Sequence, residues 1–269
     1  MTDSTRCHVG RFILSVLTLL GMIACTSSPT GRPQLQFFPE SQMAEMGTAA
    51  YQELKQQTPV SQDASLNRYV QCIARAITQV VAPEENWEVT VFQDETANAF
   101  ALPGGKIGVY TGLLEVASTP DQLAAVIGHE IAHVQADHSN ARMSAAYATE
   151  AGLALVQVVA GAATPEKQQL MGLLGLGAQV GVILPYGRSQ ESEADLLGLD
   201  YMARAGFDPR ASINLWQNMA KAGGPQPPEF LSTHPAHGTR IEQLNEHMPT
   251  ALNLYQQAQA QGQTPNCQP

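Results

Sequence analysis

Charge is scarce in this chain of 269 residues: Lys and Arg number 14, Asp and Glu 24, together 14% of the sequence. No basic run occurs and the formal net charge is −10, so the chain offers no electrostatic grip on nucleic-acid phosphates and no nucleic-acid partner is expected. Aromatic residues are few, at 6%, yet the apolar share of 44% is ordinary and argues against general disorder. Long hydrophobic runs are lacking too. The stretches Phe12 to Ile23, Ala151 to Ala163 and Leu170 to Pro185 all fall short of the roughly 18–20 apolar residues that span a bilayer. The last two carry Gly and Gln and read as a buried helical hairpin. No internal repeat is present, and the length suits one sizeable core or at most two small domains.

What is there begins with a leader. Arg6 and Arg11 precede the short apolar stretch, which ends in Leu20-Gly21-Met22-Ile23-Ala24-Cys25. A small residue followed by Cys at that point resembles a bacterial lipoprotein processing site. The resemblance implies a signal peptide over 1–24, lipid on Cys25, and a membrane anchor. With Thr26 after the cysteine, it also implies residence on the periplasmic side of the outer membrane. The polar, Pro-containing segment that follows reads as a linker, so 25–39 form the lipidated N-terminus and linker. Of the four cysteines, Cys7 leaves with the leader, and Cys72 and Cys267 are expected to pair in an oxidising compartment. Two free buried thiols are the alternative.

Hydrophobic periodicity predicts amphipathic helices over 42–57 and 63–81, the second with Leu66, Tyr69, Val70, Ile73, Ile77 and Val80 on one face. Alternation predicts strands over Trp87 to Phe92 and Lys106 to Thr111, the latter after a Pro103-Gly104-Gly105 turn. Thr119 as N-cap, Pro120 in the first turn and Gln122 three residues after the cap predict a helix start, with the helix running to about His138. Helical runs follow from Arg188 to Ala205 and from Arg210 to Ala222, then a short helix after Arg240 and a Gln-rich tail over 251–269.

Inside the capped helix stands His129-Glu130-Ile131-Ala132-His133, an HExxH sequence. Imidazoles four residues apart project from one helical face and bind one zinc ion, while Glu130 reaches the water that the metal activates. A catalytic zinc needs a third protein ligand. Glu191-Ser192-Glu193-Ala194-Asp195 supplies it on a later helix: Glu191 and Asp195 are i and i+4, so one ligates while the other accepts an imidazole N–H. Glu193 then points elsewhere, and Glu150 is the rival third ligand. Asn98 to Leu102 is expected to run beside the cleft as an edge strand, so that Asn98, Ala99, Phe100 and Ala101 pair with extended substrate backbone.

HExxH, a distant Glu-x-x-Ala-Asp, Asn98-Ala99-Phe100-Ala101-Leu102-Pro103-Gly104-Gly105, Val109 to Leu114, and Thr233-His234-Pro235 occur here in that order. Together they resemble the HtpX-like zinc metallopeptidases, family forty-eight of the metallopeptidases, and most closely their periplasmic LoiP-type lipoprotein members. The resemblance covers about residues 40–248. It implies an α+β, mainly helical, zincin-like metallopeptidase domain over 40–250, with a small β-sheet beside the HExxH helix. It implies one zinc ion held by His129, His133 and Glu191, with Glu130 as general base and proton donor. Asp195 and Arg240 support the ligands from behind, and His234 approaches the metal to regulate it or to stabilise the oxyanion. The implied function is hydrolysis of misfolded or unfolded cell-envelope proteins, with the outer-membrane assembly machinery as a partner. The alternative is a chaperone-like or assembly-factor lipoprotein with a latent protease site.

Overall fold

The computed structural model describes residues 25–160, 184–222, 234 and 239–268. In chain order its elements are β1 (Cys25–Ser27), β2 (Pro33–Leu35), α1 (Glu40–Gln57), α2 (Ala64–Val81), β3 (Glu88–Phe92), β4 (Ala99–Leu102), β5 (Lys106–Tyr110), α3 (Leu113–Val116), α4 (Pro120–Gln135), α5 (His138–Ala160), α6 (Leu184–Arg204), α7 (Ala211–Ala222) and α8 (Arg240–Ala260). This is the mainly helical α+β architecture expected, with a small sheet beside the HExxH helix. Among the described residues no helix is long and apolar enough to cross a membrane.

Local chemistry sets the helix starts. Asp63 caps α2 by accepting from the Ser65 and Leu66 N–H groups, and the apolar stripe of Tyr69, Val70, Ile73 and Ile77 is buried. Thr119 caps α4 by accepting from Gln122 N–H, while the Gln122 side chain reaches back to accept from Ser118 N–H. Every residue of α4 from Gln122 through His133 is buried. A helix buried all round lies in the middle of its domain, and α4 packs against α2, α6, α7 and β4.

The three-stranded sheet has the order β3–β5–β4, with β5 parallel to β3 and antiparallel to β4. β4 is therefore an edge strand, and it lies along α4. On the other side α4 meets α6 at paired glycines: a Cβ at Gly128 would stand 2.8 Å from the Gly198 carbonyl oxygen. The missing side chains let the two backbones touch.

Three segments differ from the sequence expectation. The segment read as a polar linker forms the antiparallel β1–β2 hairpin, closed at Ser28-Pro29-Thr30-Gly31, where Gly31 N–H bonds the Ser28 carbonyl and Gly31 has φ +86°. Pro at the second position and Gly at the fourth suit such a turn. The helix carrying the HExxH sequence stops at Gln135, and Asp137, in the left-handed region at φ 54°, turns the chain into α5. The helix after Arg240 is 21 residues long and continues past Pro249 into the Gln-rich tail. A disulfide joins Cys72 on α2 to Cys267, a sequence separation of 195. The leader over 1–24 lies outside the described residues, as does 161–183 of the apolar hairpin.

Candidate metal centre

α4 presents His129 and His133 one turn apart, with their Nε2 atoms 3.1 Å from each other. Glu191, near the middle of α6, places Oε2 3.4 Å from His129 Nε2 and Oε1 3.4 Å from His133 Nε2. His234 adds Nδ1, 3.3 Å from His129 Nε2 and 3.1 Å from Glu191 Oε1. One donor atom from each of these four buried side chains lies within 4.8 Å of every other. A tetrahedral zinc ion with bonds of about 2.0–2.2 Å spaces its ligand atoms roughly 3.3–3.6 Å apart. The measured separations meet that spacing or fall slightly short of it, and three imidazoles with one carboxylate are a donor set that suits zinc.

Behind the donors lies a buried ionic network. Asp195 Oδ1 is 2.9 Å from His129 Nδ1, and Arg240 spans Asp195 Oδ2 at 2.6 Å and Glu191 Oε2 at 3.0 Å. Arg240 is itself 1% exposed and stacks on the Trp216 ring with its guanidinium carbon 3.9 Å from the centroid. Two carboxylates without that cation would leave buried charge uncompensated. Arg142 on α5 donates a further hydrogen bond to Glu191 Oε1 at 3.2 Å.

This environment sorts the protonation states. Burial lowers the His129 imidazole, but hydrogen bonds to Asp195 and Glu191 raise it to about 9. His133 falls well below its ordinary value through burial and the neighbouring His129 charge. Burial raises the Glu191 carboxyl, yet its hydrogen bonds with His129 and His234 hold it far below the carboxylate range. Glu130 moves the other way, pushed up by burial against the opposing charges of His234 and His129.

Glu130 sits beside the donors, with Oε1 3.4 Å from His234 Nε2, and Ala101 on β4 hydrogen-bonds to it through its backbone. Along β4, Tyr110 N–H donates to the Asn98 carbonyl, and Phe100 lies opposite Gly108. In an antiparallel pair the hydrogen-bonded residues alternate, so Ala99 and Ala101 turn their backbone groups outward at the edge. The Phe100 ring lies over Gly108 and packs with Tyr51, Phe92 and Tyr110.

The structure thus brings together His129, Glu130, His133, Glu191, Asp195, His234 and Arg240, with the Ala99 and Ala101 backbone beside them. Phe100 and Asn98 turn their backbone groups to β5, so neither presents backbone at the open edge. Glu150 is exposed on α5 and is not among the clustered donors. The sequence pattern does not single out Arg142 or His138, although both touch the clustered donors, and Glu193 points away from them to His138. Their only signal is spacing: His138 follows His133 by five residues, and Arg142 stands one turn further along α5.

A family model described as "Peptidase family M48" matches residues 61–248. The chain is 36% identical to the mitochondrial metalloendopeptidase OMA1 of Schizosaccharomyces pombe over 185 residues, which are 66% of this chain and 53% of that protein. It is 37% identical to the protein of the same name from Saccharomyces cerevisiae over 180 residues, 64% of this chain and 50% of that one. It is also 28% identical to the beta-barrel assembly-enhancing protease of Yersinia pestis over 249 residues, 85% of this chain and 51% of the relative. The chain therefore spans about half the length of these curated relatives. The kinship overturns the location read from the leader, a lipid-anchored protein on the periplasmic side of a bacterial outer membrane. The two yeast relatives, matched at higher identity than the Yersinia protein, are mitochondrial by name.

Proposed function

The chain belongs to peptidase family M48, and from that premise we propose that it is a zinc-dependent metalloendopeptidase that hydrolyses unfolded or misfolded polypeptides. The observation that carries this reading is the mutual spacing of the His129, His133 and Glu191 donor atoms, 3.1–3.4 Å, with the Glu130 carboxylate beside them. His129, His133 and Glu191 would hold the ion. When bound, zinc polarises the scissile carbonyl and lowers the pKa of the attacking water.

The chain's own groups supply the rest. Glu130, raised by burial, takes a proton from the attacking water and returns it to the leaving amine. Asp195 accepts the His129 Nδ1 proton and fixes that ring, and Arg240 balances the Asp195 and Glu191 charges. An extended substrate pairs along the outward edge of β4 by displacing the hydrogen bond that Ala99 N–H donates to Asn98 Oδ1 and the one between the Ala101 backbone and Glu130, which favours polypeptides already unfolded. Unfolded β-barrel chains, the client class that the Yersinia relative's name points to, belong among the substrates to be tested.

A second reading, a latent protease with a client-binding role, rests on His234. Its Nδ1 stands where a catalytic centre keeps an open position. The test is cleavage of an unfolded reporter polypeptide by the purified full chain with zinc, beside Glu130→Gln and His234→Ala. Loss of cleavage by about 10²–10⁴-fold in Glu130→Gln, with zinc still bound, supports the peptidase reading. Undiminished cleavage by Glu130→Gln overturns the role of Glu130. Cleavage seen only in His234→Ala selects the latent form.

A further inference from the structure

His129 has its free ring nitrogen anchored directly by a carboxylate, Asp195, at 2.9 Å. Among the described residues, none offers a carboxylate at that nitrogen of His133. Its Nδ1 lies 2.8 Å from Nδ1 of His138, a side chain 1% exposed, whose Nε2 is 3.1 Å from Glu193 Oε2. Glu193 in turn accepts from Thr30 Oγ1 at 2.5 Å and Arg32 Nε at 2.9 Å, both in the β1–β2 hairpin segment.

We propose that His138 is the positioning residue for the metal ligand His133, and that Glu193, Thr30 and Arg32 hold it in that role, making the N-terminal hairpin a part of the metal centre. This rests on the metal-centre reading above.

Metal binding fixes the direction of every bond in the series. A neutral His133 that gives its Nε2 lone pair to a metal carries its proton on Nδ1. At 2.8 Å that proton is donated to His138 Nδ1, which must then be bare. The His138 proton therefore sits on Nε2 and is donated to Glu193. Glu193, with no proton to give, receives from His138, Arg32 and Thr30 together. No other assignment of protons satisfies all the contacts while leaving His133 Nε2 for the metal.

The backbone is arranged to deliver His138 to this place. The left-handed Asp137 ends α4 and turns the chain so that the first residue of α5 lies against His133; Asp is among the few residues that adopt this conformation readily. The hairpin grips the same turn. Gln34 Nε2 donates to the Ala136 carbonyl and Gln36 Nε2 to Asp137 Oδ2, each at 3.0 Å. Arg32, Gln34 and Gln36 alternate along the extended segment, so one face makes their bonds, and Thr30 reaches Glu193 from the turn.

The experiment compares zinc affinity, by competition with a chromophoric chelator, in the full chain and in His138→Leu and His138→Asn. The visible spectrum of the cobalt-loaded proteins is recorded alongside. Loss of such an outer partner costs roughly 10–100-fold in metal affinity. His138→Leu is expected to lose that much and to shift the cobalt bands. His138→Asn keeps an acceptor oxygen in place of Nδ1 and should regain most of the loss. A purely packing role gives the opposite order, because Leu fills the space and Asn does not; that order, or unchanged affinity in His138→Leu, overturns the proposal. Should His138→Leu not fold, Glu193→Gln carries the test, with a several-fold loss expected and wild-type affinity refuting. A full chain that binds no zinc would instead overturn the metal centre itself.

Discussion

Adding one methyl group at Gly198 tests how closely α4 and α6 must approach. A Cβ at this position would stand 2.7 Å from His129 N and 2.9 Å from both Gly128 C and His129 Cα. All three are backbone atoms, so no rotamer change relieves the contact. Ordinary contact begins near 3.4 Å, so the helices must separate by roughly 0.7 Å or bend. Metal–ligand distances tolerate only about 0.2 Å. Glu191 and Asp195 ride on α6 two turns and one turn before Gly198, so the separation withdraws both from His129. Overpacking of this kind costs about 1–3 kcal/mol, and the better helix propensity of Ala returns about 1 kcal/mol of it. Thermal stability is therefore the weaker readout, and zinc affinity decides. Gly198→Ala is expected to bind zinc at least tenfold more weakly than wild type in a chelator competition, with a lower Tm in zinc. A variant that matches wild type in both would refute the reasoning that backbone contact at these glycines sets the donor geometry.

Chelating zinc from the protein is expected to lower Tm by roughly 5–10 °C, since free zinc at a hundred times Kd stabilises by about 2.7 kcal/mol and each kcal/mol moves a chain of this size by about 2–4 °C; identical melting with and without zinc contradicts the site. Reducing the Cys72–Cys267 bond, which closes a loop of 195 residues, should cost up to about 5 kcal/mol in the chain-entropy account, read as a lower urea midpoint with an unchanged signal in the native baseline. Glu88 is held below its usual value first by the hydrogen bond from Lys55 and then by Lys106. Because the folded value is the lower one, this stabilisation is full above about pH 4.5 and fades as pH falls through the folded value. Glu88→Gln should therefore melt slightly below wild type at pH 7, by less than about 1 kcal/mol for so exposed a pair, and the gap should close in acid. A gap that widens below pH 4 would show the sign to be wrong.

The capped start of α4, the amphipathic face of α2 and the pairing of His129 with His133 on one helical face were legible in the sequence because each depends on residues within about two turns of one another. The lengths of α8 and of the hairpin segment were not. Pro249 carries a local signal for interruption that the packing of α8 against α6 overrules, and the Ser28 to Gly31 run marks a turn without showing that the residues on either side of it pair as strands. The leader is a similar case: read alone it suggested a lipid-anchored envelope protein, and kinship over about two thirds of the chain corrected that placement.

Among the described residues, the sequence by itself determined which side chains are candidates for ligating or proton-transferring chemistry and on which helices most of them stand, because helical spacing and capping are short-range effects. Only the tertiary structure decided that Glu191 meets the two imidazoles while Glu150 stays exposed, that Phe100 packs its ring over Gly108, and that Glu193 turns to His138 and the hairpin. The carboxylate placements depend on the backbone contact of Gly128 with Gly198 and the left-handed turn at Asp137, and the Phe100 packing on the missing side chain of Gly108. All three are matters of close approach between segments, set by packing across the whole core.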